Sequence, residues 1–137
     1  MANSVNIQTI LDGPRNVVVK VEGILDTSDQ ASMTLVDPAA LGYMDGQNRV
    51  KAKHLRLYTL TYSVEDGLEV RLAWDATTPV RLGQLTGRGK QCFRHFEGIP
   101  DNSGAGSTGK VLLSTEGWSA GKILSFTVIA EFAKVQS

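Results

Sequence analysis

Two neighbouring stretches carry patterns that could do chemistry. Gly104 to Lys110, GAGSTGK, nearly matches the phosphate-cradling pattern G-x-x-x-x-G-K-[ST]. Gly117 to Gly121, GWSAG, matches the nucleophile-elbow pattern G-x-S-x-G with Ser119 at its centre. A phosphate loop needs a strand before it and a helix after it, so that backbone N–H groups and the helix N-terminus converge on the phosphates. Here the turn-rich GIPDNS precedes Gly104, and VLLSTEG follows with the strand-like alternation Val111, Leu113, Thr115. Val111 stands where a Mg²⁺-binding hydroxyl would be required. The elbow fails differently. In the order Ser, acid, His, a proton acceptor must follow Ser119, and AGKILSFTVIAEFAKVQS contains no His. Both motifs therefore reduce to turns and loops between strands, and no enzyme activity is expected.

Other reactive side chains are dispersed. Cys92 and His95 are three apart, which in a strand puts them on opposite faces and denies them a shared zinc ion. His54 stands alone in the basic run VKAKHLR, where Lys51, Lys53 and Arg56 are followed by Tyr58 and Tyr62. That run reads as a solvated strand face. Asp26, Asp29, Asp37 and Asp45 lie in turn-like segments without the spacing of a calcium loop, so turn capping is their expected role. Glu65 and Asp66 are expected to be solvated. No metal, no cofactor and no nucleic acid is expected.

The elements that would position these residues have period two. Val5, Ile7, Thr9 and Leu11 share one face of SVNIQTIL, and Val17, Val19 and Val21 share one face of NVVVKVEGIL. Leu68, Val70, Leu72 and Trp74 alternate with Glu69, Arg71 and Ala73, which predicts a buried face and an outward one. Further strands are predicted at 32–36, 91–97, 110–116 and 122–135, the last with Leu124, Phe126, Val128, Ala130 and Phe132 on one face. Glu65-Asp66-Gly67 reads as a hairpin link between HLRLYTLTYSV and LEVRLAW, and Trp118 to Gly121 as a tight turn between two antiparallel strands. The best helical candidate is one turn near 38–44. Segments 42–49, 83–90 and 98–109 read as contact-making loops. The pattern predicts an all-β, single-domain antiparallel sandwich or small barrel over 1–137, with about eight strands.

Composition narrows the class. The 137 residues hold 14 basic and 14 acidic side chains, with no basic excess of the kind nucleic-acid binders show. A single cysteine permits no intramolecular disulfide. The start, MANSVNIQTI, lacks the basic and apolar regions of a secretory leader, and no apolar run approaches the ~18 residues needed to span a bilayer. Synthesis in a cytoplasm and no membrane partner are the expectations.

Three stretches carry a resemblance: the DGPRNVVVKVEG start, the WDATT turn at Trp74 to Thr78, and FEGIPDNSGAG. In this order, and across nearly the whole chain, the sequence resembles small tailed-bacteriophage virion proteins of the capsid decoration, or cement, type. The resemblance implies a jelly-roll-like β-sandwich on the capsid surface, with the major capsid protein as partner and further copies of the chain as a dimer or trimer. The expected contacts are Asp12, Gly13, Pro14, Arg15 and Asn16 at one end of the domain, and Pro100, Asp101, Asn102, Ser103 and Gly104 at another. The second loop, polar and glycine-rich, is expected to become ordered on binding. Two alternatives stay open: a collar or head-to-tail virion component, and a carbohydrate-binding module that stacks sugars on Trp74, Trp118, Tyr43 or Tyr58.

Overall fold

The computed structural model describes residues 3–45 and 48–135; for 42–45, 48–51 and 96 it describes the backbone alone. The described residues form twelve strands: β1 (Ser4–Asp12), β2 (Asn16–Leu25), β3 (Met33–Val36), β4 (Gly42–Asp45), β5 (Asn48–Lys51), β6 (His54–Val64), β7 (Glu69–Trp74), β8 (Val80–Leu85), β9 (Arg88–Cys92), β10 (Ile99–Pro100), β11 (Val111–Glu116) and β12 (Leu124–Val135). One sheet has the order β1-β2-β12-β6-β10, with β9 also pairing to β6. The other has the order β3-β11-β7-β8, and β4 and β5 form a separate two-stranded arm. All pairs are antiparallel. The chain passes repeatedly from one sheet to the other, from β2 to β3, β6 to β7, β8 to β9, β10 to β11 and β11 to β12. This wrapped double Greek key is a jelly roll.

Alternation dictates the core. Val17, Val19, Val21 and Leu25 of β2 face Leu68, Val70, Leu72 and Trp74 across the sandwich interior, with Leu124, Phe126, Val128, Ala130 and Phe132 of β12 between sheet neighbours. All of these are buried, while Glu69 and Arg71 are part-exposed and pair with each other at 2.9 Å. The predicted core face of β7 is thus the observed one. Two glycines admit aromatic rings from the next strand: Phe126 lies over Gly23 and Tyr62 over Gly89, and a Cβ at either glycine would collide with the ring.

Pairing departs from the sequence expectation at several points. Glu65-Asp66-Gly67 does not close a hairpin, because β6 and β7 belong to different sheets. The link still turns, Leu68 N–H donating to Glu65 O at 3.1 Å, but it arches across the sandwich. Trp118 to Gly121 likewise turns between sheets, since β11 and β12 do not pair. Turn residues report a reversal of direction; they do not report whether the sheet continues through it. Segment 91–97 is not one strand: β9 ends at Cys92, a 3₁₀ turn follows at Arg94–Phe96, and Glu97 takes a left-handed backbone at φ 65°. Segment 83–90 is mostly strand, in β8 and β9, despite its three glycines. The expected turn near 38–44 is a 3₁₀ turn at Pro38–Ala40, capped by Asp37, whose side chain accepts from Ala39 N–H. Region 42–49 is the β4–β5 arm, with 46–47 outside the described residues.

The face assignment of β1 holds for Val5 and Ile7 and then fails. The register slips between Thr9 and Leu11, so Ile10 is a bulge. A one-residue slip moves later side chains to the opposite face. Leu11 therefore pairs with outward-facing Val18 and is 49% exposed, and Asp12 is brought to inward-facing Val17.

Because Leu72 is fully buried between β11 and β8, Leu72→Ala is expected to cost about 2–5 kcal/mol in urea unfolding. A loss under about 1 kcal/mol would mean that this face is not the core.

Candidate functional site

The two expected contact segments lie at the same end of the six-stranded sheet, not at different ends. The register places Asn16 opposite Ala133, Ala133 opposite Arg56, and Arg56 opposite Pro100, in one row across four strands. Asp12–Arg15 precede Asn16 as the β1–β2 turn, and Asp101–Gly104 follow Pro100. The two loops are three strand spacings apart, about 14 Å. The β4–β5 arm leaves the body at this end too. Ala52 N–H donates to Leu41 O at its base, and Lys53 N–H donates to Val135 O at 3.0 Å. Residues 42–49 carry turn-forming Gly, Asp and Asn but no alternation that marks a strand pair.

Each loop is fixed from beneath. Lys134 continues the inward face of β12, so its side chain enters the bottom of the core, where it has no solvent exposure. A buried ammonium requires partners. The bulge at Ile10 supplies one by turning Asp12 inward to pair with Lys134 Nζ, which also donates to Gly13 O at 2.6 Å. Backbone bonds from Gly13 N–H to Asn16 O and from Lys134 N–H to Arg15 O, both 2.8 Å, complete the turn. Pro14 and Arg15 are left exposed at its tip.

Asp101 organises the second loop. Its side chain is 2% exposed. Oδ1 accepts from Ser103 N–H at 3.1 Å and from Ser103 Oγ–H at 2.5 Å, and Oδ2 accepts from Ser107 Oγ–H at 3.1 Å. His54 Nδ1 stands 3.7 Å from the same carboxylate. Further along, Thr77 N–H donates to Ala105 O, Thr108 N–H to Asp75 O, and Thr108 Oγ–H to Asp75 Oδ2 at 2.7 Å. Gly106 has φ 77°, and a Cβ there would strike the Thr77 side chain and lie 2.8 Å from Thr77 N. The loop is therefore preordered against the WDATT turn, contrary to the expectation that it orders on binding.

A third network crosses the outer face of the sheet beside a bulge at Tyr58, between Glu131↔Thr59 and Phe132↔Leu57. Glu131 accepts from Arg94 at 2.5 Å and from Asn16 Nδ2 at 3.2 Å, and Arg94 lies 4.7 Å over the Tyr58 ring. Partial burial pushes the Glu131 carboxyl up, but hydrogen bonds from Arg94, Asn16 and Thr59 outweigh it and hold the group below its ordinary value.

The other motif residues are dispersed by the fold. Lys110 runs directly into β11, its carbonyl accepting from Asp75 N–H, with no helix behind it. Ser119 sits by the start of β12, while His54 pairs opposite Val135 at its end, about 35 Å away along the strand. His95 lies in the 3₁₀ turn after β9. Among the described residues no three His, Cys, Asp or Glu side chains cluster to hold a metal ion, and no helix is long and apolar enough to cross a membrane. Trp74 is buried, and Trp118 is half-buried against the core with its Nε1–H donating to Leu25 O and Lys122 O. The Tyr43 side chain lies outside the described residues. Asp29 holds a turn, as its turn-like segment suggested, and Glu65 does so too instead of being merely solvated. Asp29 accepts from Thr115 Oγ–H and from Trp118 N–H, and Glu65 from Ser125 N–H at 2.9 Å.

No protein-family model matches this chain, and no curated protein matches it in sequence.

Two outcomes are expected from this geometry. Gly106→Ala should loosen the 101–110 loop, read as faster amide exchange at Thr77 and Thr108, whose N–H groups donate to Ala105 O and Asp75 O. Gly104→Ala, whose Cβ meets open space, should cost only the left-handed backbone penalty of about 1 kcal/mol. Equal exchange in both variants would show that the Thr77 contact does not hold the loop. For Glu131, a lowered folded-state value means the unfolded chain takes up the proton first. Its stabilisation is complete above the ordinary value of 4.5 and is lost as pH falls through the lowered one. Glu131→Gln should therefore be less stable than the native protein at neutral pH, with the gap closing in acid. A gap that widens in acid would contradict the assignment.

Proposed function

We propose that this protein is a capsid decoration protein of a tailed phage, binding the outer surface of the major capsid lattice and stabilising the head. The reading rests on the resemblance carried by DGPRNVVVKVEG, WDATT and FEGIPDNSGAG, and one structural observation supports it above others. Two polar loops, Asp12–Asn16 and Pro100–Gly104, stand side by side at one end of a sandwich, each held rigid by a buried charged residue, Lys134 or Asp101.

A cement protein needs no turnover. It needs a stiff body that touches neighbouring subunits at two points at once. Two modest contacts on one rigid body gain avidity of about 10²–10⁴ through effective concentration, and many copies on a symmetric shell repeat the gain. Because the loops are ordered before contact, binding avoids the ordering cost of about 1–2 kcal/mol per residue that a loose loop would incur. The zero net charge gives no long-range steering, so recognition here is short-range, through shape and hydrogen bonding.

The test adds purified protein to undecorated capsids and measures occupancy and thermal rupture. Native protein should bind at saturating occupancy and raise the rupture temperature. Pro14→Arg and Asn102→Trp, both at exposed loop positions, should each weaken binding by about 10²-fold while leaving the domain folded. Full occupancy with an unchanged rupture temperature would remove the cementing role. Unchanged affinity in both variants would remove this end from the contact.

A further inference from the structure

Strand β1 forms one edge of the six-stranded sheet and, among the described residues, pairs only with β2. It is nine residues long and mostly exposed. Unpaired strand edges template further pairing, and proteins blunt them with charge, proline, shortness or irregularity. The other edges carry such devices. On the far side of the same sheet, β9 bears Arg88 and Lys90, a 3₁₀ turn interrupts the edge, and β10 is two residues ending in Pro100. In the second sheet, β3 has four residues, and β8 follows Pro79 and carries exposed Arg81. In contrast, residues 3–11, NSVNIQTIL, contain no charge and no proline, and the bulge at Ile10 comes only near the strand's end.

We propose that β1 is a dimerisation edge, pairing antiparallel with β1 of a second copy of this chain about a two-fold axis near Ile7. The occupant follows from self-complementarity, which an isologous contact demands. About an axis at Ile7, Asn6 meets Gln8 of the second copy and Ser4 meets its Ile10, so no charge is set against a like charge or an apolar side chain before Asp12. The two ends of the strand also fit each other. Ile10 and Leu11 are about half exposed at one end. At the other, the small Ser4 pairs with Ile24 of β2, which is 51% exposed. The two-fold brings each copy's Ile10–Leu11 end against the partner's Ser4–Ile24 end. The exposed branched side chains then gather over one serine at each end of the joint, and the sheet runs on through both copies. Ile123, the remaining large exposed apolar residue among the described side chains, lies off this strand.

Dimerisation is read on the purified full chain with no capsid present, so its failure is separate from failure of the decoration reading. Sedimentation equilibrium of the native protein should give a dimer. Asn6 and Gln8 are exposed, opposite Glu22 and Lys20 of the same copy. Asn6→Lys with Gln8→Lys, and separately Asn6→Glu with Gln8→Glu, should each weaken self-association by about tenfold or more, because like charges meet across the axis. An equimolar mixture of the two variants should recover the dimer, which a misfolded variant could not do. Leu11→Asp should weaken the native dimer by removing the end contact. A native monomer at all concentrations, a native trimer, or lysine and glutamate variants that dimerise as well as the native chain would each overturn the proposal.

Discussion

The register of β12 between β2 and β6 decides where both polar loops fall. Its twelve residues alternate strictly, so Leu124 through Phe132 close the core and Lys134, two residues further along the same face, must enter it as well. A buried ammonium cannot be left without partners. The Ile10 bulge, the inward turn of Asp12 and the tight 13–16 turn together satisfy it. On its other side β12 aligns β6, and through β6 the short β10, so that Pro100 enters the same row as Asn16. The co-location of the two polar loops is thus a consequence of strand pairing, and their rigidity follows from two buried charges.

Much of this frame is legible in the sequence, because alternation is local. Val17 to Val21, Leu68 to Trp74 and Leu124 to Phe132 announce their buried faces without knowledge of neighbours. Pairing is not local, and there the sequence misleads. Glu65-Asp66-Gly67 has hairpin composition yet arches between sheets, since nothing in three turn residues encodes which sheet the next strand joins. The bulges at Ile10 and Tyr58 have no residue signature and depend on the register of distant partners. Gly83, Gly87 and Gly89 give β8 and β9 the look of a loop, although Gly89 is there to admit the Tyr62 ring.

The candidate site was legible in its residues and not in its arrangement. The segments around Pro14 and Asn102 stand out as polar and turn-rich. Their shared end, and the ordering of the second loop by Asp101 and the Asp75–Thr77 turn, require the folded sheet. The same sheet separates Ser119 from His54 and leads Lys110 straight into a strand, so sequence motifs that suggest catalysis become features of loops and turns. The uncharged β1 edge and the loop-bearing end are different surfaces of the same six-stranded sheet.

We propose that this end of the sandwich seats the protein on a phage capsid. Cryo-electron microscopy of capsids incubated with the purified chain tests it most directly. Density should repeat over the icosahedral lattice, with the 12–16 and 100–104 loops in contact with the shell. Bare shells at saturating protein, density confined to a collar vertex, or a lattice-bound protein turned with those loops away from the shell would contradict it.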